Sequence, residues 1–221
     1  MAEAPDRPRI FVLAGVNGAG KSSVAGGMLE ASGLTWFNPD SFARVLVARG
    51  LTQEDANSHA WSYGKQKLEE ALACKRDFAF ETTLGATTIP RLLMEAAATH
   101  DVFMIFCGLS SVEMHVDRVK FRVEHGGHDI PRDKIVQRWT SSRENLISLL
   151  QHLTWLQVFD NSATVAAGEE IPSPILVLEM RSGRVQYPGL SDATELAATP
   201  DWAKPIVAAA LNCHKARNGT I

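Results

Sequence analysis

An α/β fold, a parallel sheet of about five strands flanked by helices, is predicted by three observations. Short apolar runs of strand length recur along the first three-quarters of the chain, separated by longer stretches with helical patterning. Chemically unusual residues stand directly after several of these runs, where α/β sheets place their ligands. The chain has 221 residues, enough for one such domain with an appendage.

The first run, residues 9–15, is apolar and ends in glycine, too short for a helix but suited to a buried parallel strand. Comparable runs at 35–38, 78–81, 102–109 and 156–159 predict four further strands. A helix is expected over 22–31, and another over 53–75, introduced by Thr52 with Asp55 three residues on. Residues 90–98 predict a third, and Ser110 with Glu113 opens a fourth that runs to Glu124. Pro131 suits the first turn of the next helix. Towards the end, 175–180 and 185–187 flank a glycine turn and predict a β-hairpin against the sheet edge, followed by a helix over 201–213. Residues 1–221 are thus expected to form one domain, with a helical lid at about 111–150 and an extension at about 170–221.

Composition narrows the function classes. Hydrophobic residues make up 45% and charged residues 21%, ordinary for a folded protein with a core. A net charge of −3 makes nucleic acid or an anionic membrane an unexpected partner. No secretory start and no apolar run of about 20 residues is present. The three cysteines, Cys74, Cys107 and Cys213, have no metal or redox spacing. A cytoplasmic protein is the expectation.

The strongest motif is Gly15-Val16-Asn17-Gly18-Ala19-Gly20-Lys21-Ser22, a complete GxxxxGK[ST] between an apolar strand and a helix. Its physical content is a P-loop. Backbone N–H groups of Gly15, Asn17, Gly18, Ala19, Gly20 and the following Ser22 and Ser23 wrap phosphate oxygens at a helix N-terminus. Lys21 reaches the β- and γ-phosphates, and Ser22 is the expected Mg²⁺ ligand. ATP and Mg²⁺ are therefore the expected cofactors. No DxxG with NKxD and no LSGGQ-like signature accompanies the loop. A P-loop kinase that phosphorylates a small molecule is the favoured reading, and a nucleotide-hydrolysing regulatory module acting through a protein partner is the alternative.

Asp40, after the second apolar run, is expected to accept the proton of an attacking hydroxyl, with helix capping as its competing role. Glu81 ends the third run beside Thr83, and both are expected on the substrate side; Asp160 competes with Glu81 for a metal role. Between Arg118 and Arg143 lie seven Lys/Arg against three acids. Arg118 and Arg122 share a helical face, Gly126-Gly127 breaks the helix, and Arg138 lies on the next one. This predicts a hinged lid whose Arg122 and Arg138 face a transferring phosphoryl group, with Arg118 on the substrate. His125 and His128 read as loop histidines.

Taken in order, GVNGAGKSS, FNPDSF, FAFETTL, RVKFRVEHGGHDIP with RWTSSRENL, and VFDNS resemble the zeta-toxin-like P-loop kinases, in particular a chromosomal branch described as predicted ABC-type ATPases. The resemblance implies ATP·Mg²⁺, an aspartate base matching Asp40, a substrate-side acid and threonine matching Glu81 and Thr83, and lid arginines. It also implies a sugar-nucleotide acceptor such as UDP-N-acetylglucosamine and an antitoxin protein as partner. Two positions depart from the pattern. Ser141 stands where relatives carry a lid arginine, with Arg143 nearby, and Lys65 stands where relatives carry an acid.

Overall fold

The computed structural model describes residues 7–22, 24, 36–164 and 172–218. Strand β1 (Arg9–Ala14) leads into the glycine loop and the start of a helix at Lys21 and Ser22. The remainder of the helix expected at 22–31 lies outside the described residues apart from Val24. Helices α1 (Pro39–Ala48) and α2 (Gln53–Cys74) then cross over to β2 (Phe78–Thr82). Helix α3 (Thr88–Ala96) precedes β3 (Asp101–Gly108), and the pair α4 (Val112–Glu124) and α5 (Arg132–Leu149) precedes β4 (Trp155–Asp160). The chain closes with β5 (Ile175–Arg181), β6 (Arg184–Tyr187), the short α6 (Ala193–Ala197) and α7 (Lys204–Asn218).

One sheet of six strands carries the order β2-β1-β3-β4-β5-β6. The first four are parallel, and β5 and β6 run antiparallel. The hairpin is therefore not a separate appendage. It extends the sheet, turning through Ser182 and Gly183, both with positive φ, as a two-residue hairpin requires. The run expected as a strand at 35–38 supplies only the bridge from Phe37 to Phe80. Its extended path stops at once because Asn38 caps α1, accepting from Ser41 N at 3.0 Å, with Pro39 following. Thr52 caps α2 as expected, accepting from Asp55 N at 3.1 Å. Ser111, one residue later than expected, caps α4.

From β1 the chain moves to β2 on one side and then to β3 on the other. The crevice at their carboxyl ends is the switch point where α/β sheets bind ligands. The main core lies on one face, where Val12 and Ala14 of β1, Met104 and Phe106 of β3, and Leu156 and Val158 of β4 meet helical Leu68, Leu93, Leu146 and Ile206. A second cluster joins the glycine loop to the lid, since Val16 packs with Val116 and Val119 of α4 and with Ile130 and Ile135. No helix among the described residues is long and apolar enough to cross a membrane.

The C-terminal segment seals this core. Trp202, only 4% exposed, packs its six-membered ring against Gly108 and stacks with Phe106 at a centroid distance of 6.4 Å. Removing the indole leaves a cavity against β3, so Trp202→Ala is expected to cost about 3–5 kcal/mol in urea denaturation. Phe121→Ala, at a side chain 63% exposed, is expected to stay within about 0.5 kcal/mol of the parent.

Candidate active site

The glycine loop follows β1 so closely that its backbone touches the neighbouring strand. Gly15 has a φ of 139°, and a Cβ there would collide with the Cys107 carbonyl of β3. Gly20, with φ 77°, leaves no room for a Cβ beside the Asn161 amide. Only glycine fits these two places, and the loop so formed directs its backbone inwards. Ala19 N donates to Val16 O at 3.1 Å to close the turn, and Asn161 Nδ2 donates to Ala19 O at 2.9 Å. The Cys107 thiol, buried behind the loop, is pushed up to about 12 by burial.

Lys21 is 7% exposed. Its Nζ donates to Gly15 O at 2.8 Å and lies 3.3 Å from Glu81 Oε1, itself at the end of β2. The second Glu81 oxygen accepts from Asn38 Nδ2 at 2.8 Å. Asn38 thus joins the end of the Phe37 bridge, the start of α1 and the acid of β2. It also settles the position of Asp40. Because Asn38 does the capping, Asp40 in the first turn has its carboxylate turned to the cleft, with Arg122 Nη1 at 3.8 Å and His128 Nε2 at 4.0 Å.

Two cavities meet here. One, of about 440 Å³, is lined by Gly18, Gly20, Lys21, Ser22, Arg44, Arg118 and Arg122, with Asp40 and Glu81 at its far side. Four permanent cations against two carboxylates suit it to phosphates. The other, of about 260 Å³, has an apolar floor of Phe37, Phe80 and Ile89 and reaches out past Thr83, Arg138 and Trp61. Asn17, Lys21, Asp40, Glu81 and His128 line both.

The lid arginines divide between distinct tasks. Arg122 also holds the lid tip, donating to His128 O at 3.2 Å. Arg138 donates to Asn17 Oδ1 at 2.7 Å, and burial depresses its guanidinium while Asp40 opposes that shift. Arg118, expected on the substrate, lines the cavity at the glycine loop and donates to Asn161 O at 2.8 Å. Arg143 does not reach the cleft. It lies 3.5 Å over the Trp139 ring and donates to Trp202 O at 3.3 Å, so it ties α5 to the C-terminal segment. Ser141 donates to Gly85 O at 2.9 Å. Asp160 accepts from Ser162 N at 3.1 Å and from the Ser162 hydroxyl, shaping the turn after β4. Ser22 is exposed at the start of its helix, and Ser23 lies outside the described residues.

A family model for the zeta toxin matches residues 2–167. The chain belongs to the zeta toxin family. Among solved structures, the AvrRxo1-ORF1:-ORF2 complex with ATP superposes with a TM-score of 0.60 at 17% identity, over 82% of this chain and 60% of that chain. This chain thus spans 60% of that relative's length, less than two-thirds. The PezAT chromosomal toxin–antitoxin system of Streptococcus pneumoniae gives a TM-score of 0.53 at 13% identity, over 77% of this chain and 75% of that chain. The Pnkp1/Rnl/Hen1 RNA repair complex gives 0.51 at 19%, over 65% and 47%. Identities this low speak to the shared fold alone. A comparison with curated proteins gives no significant match. The family match ends near the turn after β4, so the hairpin and α7 lie beyond it.

Several residues that build the site escaped the sequence reading. Asn38 was legible, since Asn-Pro before a helix is a cap signal. Arg44 lies one turn beyond Asp40 on the same helix, a spacing that also could have been read. Asn161 stood only as a member of the VFDNS motif, and His115 had no signal, because it acts on the loop from a distant element. His115 is 1% exposed, and its Nδ1–H donates to Asn17 O at 2.8 Å. Burial lowers its pKa to about 4 from an ordinary 6.5. Between those values the unfolded chain binds a proton that the folded chain does not. Stability is therefore full above about pH 6.5 and falls as the pH drops towards 4, by up to about 3 kcal/mol. Denaturation midpoints measured across this window should show the slope, and His115→Gln should flatten it.

Proposed function

We propose that this protein is an ATP-dependent kinase that transfers the γ-phosphoryl group to a hydroxyl of a small molecule, with a sugar nucleotide as acceptor, acting in the cytoplasm. The observation that carries the reading is the junction of a cationic phosphate-side cavity with a largely apolar second cavity at Asp40, Lys21 and Glu81. A hydrolase needs room for one water beside the phosphate; a second cavity of about 260 Å³ provides for an organic acceptor.

In this reading Asp40 takes the proton of the acceptor hydroxyl as its oxygen attacks the γ-phosphorus. The new O–P bond forms while the bond to the β–γ bridging oxygen breaks, and that oxygen leaves with the electron pair on ADP. Lys21 exchanges its contact with Glu81 for phosphate oxygens, and Arg122 and Arg138 draw on the charge that spreads over the transferring group. Glu81 and Thr83 orient the acceptor, and Arg118 steadies the nucleotide side. The cradle fits the triphosphate because its glycines leave backbone N–H groups uncovered. Ser22, which follows Lys21 at the start of the helix after the loop, would hold Mg²⁺ together with the phosphates. Bound there, the ion would neutralise phosphate charge. An antitoxin that blocks the nucleotide cleft is the protein partner this reading implies.

With ATP, Mg²⁺ and a panel of sugar nucleotides, phosphorylated product is expected by mass. Asp40→Asn should lower turnover on the order of 100- to 10,000-fold with ATP binding retained, and Lys21→Ala should weaken ATP binding itself. ATP hydrolysis that ignores both the acceptor and Asp40→Asn, yet depends on Lys21, would make the protein a regulatory ATPase instead.

A further inference from the structure

His128 reads from the sequence as a loop histidine, yet the lid carries its ring to Asp40. It follows the Gly126-Gly127 turn between α4 and α5. That turn is tight. A Cβ on Gly127 would collide with Arg122 Cγ, and Arg122 Nη2 donates to His128 O at 3.2 Å. On the other side, Ile130 is buried in the apolar cluster that joins the lid to the glycine loop. Pinned before and after, the residue has little freedom in where its side chain points. The imidazole is 13% exposed, lines both cavities and sets Nε2 4.0 Å from Asp40 Oδ1. Among the described residues no closer polar partner claims the ring.

Each Asp40 oxygen faces a different group, Oδ1 the His128 ring and Oδ2 Arg122 Nη1 at 3.8 Å. The two partners are not alike. Arg122 also lines the phosphate-side cavity, and a triphosphate there offers its guanidinium far more charge than one carboxylate does. The other charged groups around the ring are engaged: Arg44 donates to Ser41 Oγ at 2.9 Å, Arg138 donates to Asn17 Oδ1 at 2.7 Å, and Lys21 pairs with Glu81 at 3.3 Å. Asp129 accepts from Ile130 N at 2.8 Å. When Arg122 turns to phosphate, His128 is the lid group left facing Asp40.

We propose that His128 is a positioning residue for the base: with ATP bound, its Nε2–H donates to Asp40 Oδ1 and aims the other oxygen at the acceptor hydroxyl. This role rests on the kinase reading above and acts through Asp40. The present gap exceeds a hydrogen bond by about 1 Å, and catalytic contacts of this kind tighten when substrates bind. A neutral donor suits the task. Burial lowers the His128 pKa; Asp40 opposes that shift, and Arg122, Arg44 and Arg138 add to it. The ring is therefore uncharged at neutral pH and holds the carboxylate without a further full positive charge beside it.

The test measures ATP affinity by calorimetry and turnover by product mass, using ATP, Mg²⁺ and the best acceptor of the sugar-nucleotide panel. The proteins are the parent, His128→Ala, His128→Gln, Asp40→Asn and the double variant Asp40→Asn/His128→Ala, with thermal unfolding midpoints to show that each folds. His128→Ala should lower kcat by about 10- to 100-fold while the ATP Kd and the acceptor KM stay within about threefold. His128→Gln, whose amide N–H can stand in for Nε2–H, should remain within about fivefold of the parent kcat. In the Asp40→Asn background, His128→Ala should cost less than about twofold more, because the group it aims is gone. Equal losses in the two backgrounds, an unchanged kcat in His128→Ala, or a glutamine variant as poor as the alanine one overturns this role and leaves the kinase reading standing. A parent that phosphorylates nothing in the panel overturns the kinase reading, and the role of His128 falls with it.

Discussion

The site depends on one buried ion pair, Lys21 with Glu81. Both side chains are nearly withdrawn from water, and among the described residues neither has another partner of opposite charge at that distance. A lone buried charge would cost several kcal/mol, so each requires the other or a substitute. The pair is completed by neutral groups: the Gly15 carbonyl on the lysine, and the Asn38 amide on the glutamate. This arrangement draws the end of β2 and the start of α1 to the glycine loop and holds Asp40 at the same edge. An arriving phosphate would offer Lys21 a second anion. The glutamate released would then face the second cavity.

A second consequence of close packing is that loop and lid form one body. Val16 belongs to the apolar cluster of α4 and α5 rather than to the sheet. Asn17 receives hydrogen bonds from both lid helices, from His115 on its carbonyl and from Arg138 on its side chain. Such coupling holds Arg138 beside the glycine loop before any ligand arrives. The tip between α4 and α5, at Gly126 and Gly127, is held chiefly by Arg122 and by backbone bonds. Any closing movement is most easily accommodated there.

The C-terminal third has a supporting task. The β5–β6 hairpin extends the sheet beyond β4, and Trp202 closes the core over β3, one residue beyond Cys107, whose carbonyl contacts Gly15. Arg143 joins the same scaffold by reaching Trp202 O. A guanidinium that the sequence left available for the lid is thereby spent on packing, while Arg44 of α1 lines the cavity at the glycine loop.

Sequence alone determined the P-loop class, the alternation of strands and helices, the family resemblance and the positions of Lys21, Asp40 and Glu81. Each of these rests on local chemistry: glycines at fixed spacing, apolar runs of strand length, and polar residues where a strand ends. It overestimated the strand at Phe37, since one bridge is all that fits before Asn38 and Pro39 start a helix. Tertiary structure decided which side chains share a cavity. It set Arg118 against the loop, turned Arg143 away, brought His115 and Asn161 to the loop, and put His128 beside Asp40. These are contacts between residues tens of positions apart, fixed by strand order and helix packing. No periodicity or spacing in the chain encodes them.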